Sequence, residues 1–213
     1  MNKKNSIRHK IVTSKYFELS GLLLLIILYS CIVQTKSGNF LTIGNIHNVL
    51  KEIVVYGILS CALAFPLING TFDLSIESIA ALGGTCCGLL VKDGLYGLKT
   101  NLPAAILISV IICCVVGAVN GLLVAFTSID PFIVTLGSQV AVRGLVYIVG
   151  NNTAVTGLPD SFKDLSNKPI LGVSMSIWIM ILVFVLMAIV LGKTSYGRKV
   201  YAIGGNYQAA FIS

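Results

Sequence analysis

Charge is what this sequence has least of. Only 11% of its 213 residues are Asp, Glu, Lys or Arg, roughly half the share of an ordinary soluble domain. A water-soluble fold could not cover a chain that is 56% hydrophobic with so few charges, and the mean hydropathy of +0.92 points to the bilayer as the apolar solvent. Histidine is also scarce. His9 and His47 lie far apart in sequence and make no metal site. No Ser/His/Asp set, no HExxH and no Cys/His ligand group occurs. The sequence therefore names no catalytic residue, no metal ligand and no cofactor, and the chain is not read as an enzyme.

The six cysteines, Cys31, Cys61, Cys86, Cys87, Cys113 and Cys114, all lie inside apolar runs without a partner at zinc spacing. They read as small packed hydrophobes. The net charge of +7 does not indicate nucleic acid, because the basic residues are scattered and their main cluster is N-terminal: Lys3, Lys4, Arg8, Lys10 and Lys15. The first apolar run is followed by Gln34, Thr35 and Lys36 with no small-residue cleavage pattern, so it reads as a retained span.

A membrane helix needs about 20 apolar residues. Six runs approach that length: residues 17–34, 53–68, 73–91, 102–126, 131–149 and 170–191. The expected architecture is an all-α, polytopic transmembrane bundle. A basic cytoplasmic tail, residues 1–16, precedes a membrane domain, 17–192, and a cytoplasmic segment, 193–213, follows it. The basic tail argues for a cytoplasmic N-terminus, and six spans return the C-terminus to the same side. Two connections are very short, 69–72 and 127–130. The longest, 150–169, is rich in turn residues and reads as an external cap or docking surface or, equally, as a plain solvated loop. Gly84 and Gly88, like Gly117 and Gly121, are four apart, a spacing that lets helix backbones approach.

Few polar groups interrupt the spans. Arg143 stands twelve residues after Pro131. Arginine at helix centre costs roughly 2.5–3.5 kcal/mol on insertion scales. It reads either as a pathway-lining group or as a structural arginine satisfied by carbonyls. Asp73 and Glu77 share one helical face and open the third run just after Asn69-Gly-Thr71. Asp73 serves as a helix cap or, together with Asn69-Gly-Thr-Phe-Asp-Leu-Ser75, marks a broken helix. Beyond the last span, Gly204-Gly205 predicts a turn. Asn206 is a good N-cap for a short helix over residues 207–212. The segment Gly94-Leu-Tyr-Gly97-Leu-Lys99-Thr100 only mimics a phosphate-binding loop, since Leu98 separates Gly97 from Lys99.

Three stretches, taken together, are similar to one family. They are Asn69-Gly-Thr-Phe-Asp73-Leu-Ser-Ile-Glu77-Ser; Gly117-Ala-Val-Asn120-Gly through Asp130-Pro131-Phe-Ile-Val-Thr-Leu-Gly137 to Arg143-Gly144; and Tyr196-Gly197-Arg198 through Tyr201-Ala-Ile-Gly204-Gly205-Asn206 to Ala210. The chain resembles permease subunits of ABC importers for ribose, xylose, arabinose, galactose and related sugars, from about residue 45 to its end. The resemblance implies a transmembrane subunit of an ATP-driven sugar importer in the cytoplasmic membrane. Its implied partners are a cytoplasmic ATP-binding subunit, an external sugar-binding protein, a second permease copy or homologue, and membrane lipid, with no nucleic acid. Asp73, Glu77, Asn120 and Arg143 become candidates for the substrate pathway. Gly197, Arg198, Gly204, Gly205 and Asn206 become candidates for coupling to the ATPase.

Two departures accompany it. Glu77 stands where the family usually has glycine, and Tyr207 and Gln208 replace frequently acidic positions. Family members also continue through further spans, so the chain reads as truncated within the third stretch. A non-transporting remnant and an ion-coupled carrier remain alternative readings at this point.

Overall fold

A computed structural model describes residues 15–92 and 94–212. The basic cluster Lys3, Lys4, Arg8 and Lys10, with His9, lies outside the described residues. The chain divides into two compact units, residues 1–50 and 51–213.

In the first unit, helix α1, Lys15–Ser37, ends where Gly38 adopts φ +72. Left-handed backbone of this kind is the ordinary glycine stop of a helix. The Gln34 side chain then fastens the turn: its Nε2 donates to Gly38 O at 2.9 Å, and its Oε1 accepts from Leu41 N at 2.8 Å. Helix α2, Ile43–Ile68, begins in this unit and runs into the second. It starts ten residues before the apolar run at residue 53, because His47, Lys51 and Glu52 interrupt hydropathy without interrupting a helix.

The second unit holds the remaining spans. Helix α3, Ile76–Lys92, is flanked by α4, Leu102–Phe126, and α5, Pro131–Val149. Pro103 and Pro131 open α4 and α5 in the first turn, where a missing N–H costs nothing, and Asn101 and Asp130 cap them. The longest connection is a cap and not a plain solvated loop. Its helix α6, Asp160–Asn167, places Phe162 on the cluster of Cys87, Leu90, Val91 and Ala105. A two-residue hairpin follows, β1 Pro169–Ile170 with β2 Val173–Ser174. It turns through Leu171 and Gly172, both at positive φ. The last long helix, α7, Met175–Lys193, therefore starts five residues later than hydropathy suggests.

Five helices among the described residues are long and apolar enough to cross a membrane: α1 from Leu19, α2, α4, α5 and α7. The sixth expected span is the 17-residue α3, which begins three residues late. The all-α polytopic bundle stands. Cys86 and Cys87 pack as expected, buried in apolar clusters, whereas Cys31 and Cys114 are exposed.

Beyond α7 the chain stays helical. Gly204 and Gly205 form the last turn of α8, Ser195–Gly205, and not the predicted turn. Asn206 breaks the helix at φ −161, ψ 103 and caps α9, Tyr207–Ile212, accepting from Ala209 N at 3.0 Å.

Candidate functional site

Between Ile68 and Ile76 the helix stops, and the chain has no regular secondary structure from Thr71 to Ser75. Pro66, near the end of α2, already removes one donor from the helix ladder, and its carbonyl is satisfied by Thr71, whose N–H donates at 2.9 Å and whose Oγ1 donates at 3.1 Å. Asp73 organises the other end. Its Oδ1 accepts from Ser75 N at 2.8 Å and from Ser75 Oγ at 2.6 Å. The same Ser75 oxygen accepts from Asn120 Nδ2 at 3.0 Å. Ser75 is fully buried and Asn120 nearly so. A three-residue polar chain thus ties the broken segment to α4.

Depth follows from the neighbours. Helix α3 runs antiparallel to α4: Ser75 meets Asn120, and Gly83 meets Cys113. It runs parallel to α5: Glu77 meets Arg143, and Thr85 meets Gly150. Arg143 is about 18 Å along α5 from Pro131, and Asn120 is about 9 Å from the end of α4, at 1.5 Å per residue. Helix α3 therefore begins inside the thickness that α4 crosses, and the non-helical segment carries the chain to that depth. Near its start, Thr135 Oγ1, which donates to Pro131 O at 2.9 Å, lies 3.3 Å from the Phe72 carbonyl.

In the first turn of α3, Glu77 Oε1 accepts from Arg143 Nη2 at 2.5 Å. The two side chains are 66% and 34% exposed in the single chain. An ion pair at this depth is costly against lipid and stable against water or protein. The structure thus joins Glu77 to Arg143, and Asp73 to Asn120. Sequence reasoning missed the linking residue, Ser75. The signal was present: a serine two positions after an aspartate is the pattern of a local side-chain turn. Among the described residues, no three of His, Cys, Asp or Glu gather as metal ligands would.

At the end that carries α8, glycine permits contacts that any side chain would block. A Cβ on Gly197 would overlap the Leu191 carbonyl and lie 2.5 Å from Val190 O. A Cβ on Gly204 would overlap the Ile68 carbonyl oxygen and lie 2.8 Å from its carbon. Together with buried Val200, these glycines press one face of α8 against the ends of α7 and α2. Thr194 caps α8, accepting from Gly197 N at 3.2 Å. Arg198 folds back, donating to Ser195 Oγ at 2.9 Å, while Gly205 and Asn206 lie exposed.

The family described as branched-chain amino acid transport system / permease component matches residues 45–213. The chain belongs to this permease family. It is a multi-pass membrane protein of a transport family. The L-arabinose ABC transporter permease protein AraH of Azospirillum brasilense is 33% identical over 194 residues, covering 91% of this permease and 56% of the relative. The ribose import permease protein RbsC of Escherichia coli K12 is 32% identical over 200 residues, 92% of this chain and 60% of its own. RbsC of Bacillus subtilis 168 is 32% identical over 204 residues, 95% and 61%. The chain spans about 56–61% of the length of these curated relatives. They are the kind of sugar-importer permease that the three sequence stretches resemble. No solved structure matches the chain.

Proposed function

We propose that the chain acts as the transmembrane permease subunit of an ATP-driven importer, moving a monosaccharide or related small sugar across the cytoplasmic membrane. The observation that carries this reading is the interrupted span. Irregular backbone at membrane depth persists only where protein buries it or water lines it, and here the break is flanked by the Asp73–Ser75–Asn120 chain and the Glu77–Arg143 pair. Polar groups so placed suit a small hydroxylated solute. The names of the relatives, ribose and arabinose permeases, support the sugar and favour it over an amino acid. Glu77, Arg143, Asp73 and Asn120 border the pathway. A cytoplasmic ATP-binding subunit contacts α8 and α9 near Gly197, Arg198, Gly204, Gly205 and Asn206, while an external binding protein delivers the sugar and a second permease copy or homologue completes the passage.

In this reading the N-terminus is cytoplasmic. The ends of α2 and α7 meet at α8, and the 150–174 connection lies at the opposite end, beside Lys92. Alkaline phosphatase fused after Thr156 is then active and fused after Ser213 inactive; the reverse pattern inverts the orientation. The transport test is deletion of the gene in its host, followed by uptake of labelled ribose, arabinose, xylose and galactose. Uptake of at least one sugar falls and returns with the gene. Unchanged uptake of all four overturns the sugar reading.

A further inference from the structure

Two independent contacts join α8 to the last turn of α2. Gly204 lies so close to the Ile68 carbonyl that a Cβ would overlap it, with Asn69 Cα 3.5 Å from the same point. Eight residues earlier on α8, the Tyr196 ring packs on Phe65 at 5.9 Å between centroids. Ile68 and Asn69 are also where the helix gives way to the non-helical segment, so α8 rests on the root of the break. From that root the path to the membrane interior is short and stiff. Thr71 is bonded to the Pro66 carbonyl, Asp73 to Ser75, and Ser75 to Asn120 of α4. Helix α3, with Glu77 in its first turn, follows directly. The root itself is imperfectly satisfied, because Asn69 Oδ1 is buried with no hydrogen-bond partner. Such an atom disfavours the arrangement that strands it and favours any shift that gives it a donor.

We propose that Gly204 is a positioning residue: by seating α8 on Ile68–Asn69 it sets the position of the non-helical segment that carries Asp73 and Ser75. Displacement of α8 is thereby transmitted to the polar chain inside the membrane without a further moving part. The inference rests on the reading of α8 as the element that faces the ATP-binding subunit, but its geometry does not require that a sugar be moved.

The test uses the full chain in native membranes, with a cysteine introduced by Leu74→Cys in the non-helical segment. Its labelling by a membrane-impermeant thiol reagent is counted above that of the chain without the added cysteine. Gly204→Ala forces α8 off its seat, and the label rate at position 74 rises about threefold or more, as for a local opening. Gly192→Ala, a helix glycine with open space around it, leaves the rate unchanged. A second reporter, Leu186→Cys on α7, is unaffected by either change. Tyr196→Ala weakens the same seat by removing a contact in place of adding a clash, and it also raises labelling at position 74. If neither Gly204→Ala nor Tyr196→Ala alters position 74, the proposal is wrong. A rise at positions 74 and 186 alike means general loosening and also overturns it. Because labelling needs neither ATP nor sugar, a failed uptake experiment leaves this result intact, and the reverse holds too.

Discussion

Helices α3 and α7 have almost the same length, 17 and 19 residues, and opposite fates. Eight residues of α3 are buried, among them Ser78, Gly83, Cys86, Cys87 and Gly88. Helix α7 is an almost unbroken run of Ile, Leu, Val, Phe and Met, yet only Ile177 and Met180 are buried. In water the more apolar helix would be the inner one. In a bilayer lipid tails are as apolar as leucine, so hydrophobicity gives no inward drive, and close packing and hydrogen bonding decide instead. Small and polar residues therefore mark the inside here. The exposed Leu182, Val185 and Leu186 of α7 are what a lipid-facing surface requires.

If packing decides, overfilling α3 is the largest perturbation available. A Cβ on Gly83 would lie 2.6 Å from Cys113 Sγ, whereas one on the neighbouring Gly84 meets nothing within 4 Å. Gly83→Leu is expected to cost about 3 kcal/mol, the upper range for overpacking a tight core, and Gly84→Ala less than about 0.5 kcal/mol. The check is thermal exposure of the buried Cys86 and Cys87 thiols to a thiol-reactive fluorophore in detergent. Gly83→Ala should regain its loss when combined with Cys113→Ala. Equal melting of the Gly83 and Gly84 variants would mean that α3 is not packed as described.

The next effect is electrostatic and tests the other feature that α7 lacks. Glu77→Leu leaves Arg143 without its carboxylate, and Arg143→Leu leaves Glu77 alone. Each is expected to cost about 2 kcal/mol, below the full cost of a lone charge at bilayer centre because both side chains are partly exposed. The double variant removes both charges and should recover at least half of that loss. Additive losses in the double variant would show that the pair is not coupled.

Hydropathy made the bundle legible in the sequence because α4, α5 and α7 are long uniform runs. It could not place the ends of α2, α3 or α7. Those ends depend on polar residues that a helix tolerates, on a hairpin at Leu171–Gly172 and on a non-helical stretch that no periodicity announces. The candidate site was half legible. Arg143 was visible as a cost without a partner, and Asp73 as a cap or a break. That Glu77 is the partner of Arg143 depends on α3 running parallel to α5, a tertiary fact. Gly204-Gly205 misled for a local reason. Glycine pairs usually mark turns, but here the missing Cβ is used for approach to Ile68 within a helix. Asn206, whose signal is local capping chemistry, was read correctly.

The smallest effect separates a polar residue that is used from one that is only enclosed. Ser75 and Ser78 are both fully buried, three residues apart at the start of α3. Ser75 Oγ donates to Asp73 and accepts from Asn120, whereas Ser78 Oγ has no partner, and neither has Ser176 Oγ on α7. Removing a bonded hydroxyl leaves Asn120 Nδ2 and one Asp73 bond unmade, so Ser75→Ala is expected to cost about 1–2 kcal/mol. Removing an unbonded hydroxyl relieves a desolvated group, so Ser78→Ala and Ser176→Ala are expected to be neutral or stabilising by up to about 1 kcal/mol. The same thiol-exposure melting curve ranks the three variants. Ser75→Ala should also weaken the tie between the non-helical segment and α4, which a labelling rise at Leu74→Cys would report independently of stability. If Ser78→Ala proves as damaging as Ser75→Ala, small buried hydroxyls matter in α3 for packing alone, and the polar chain is not what fixes the break in the span.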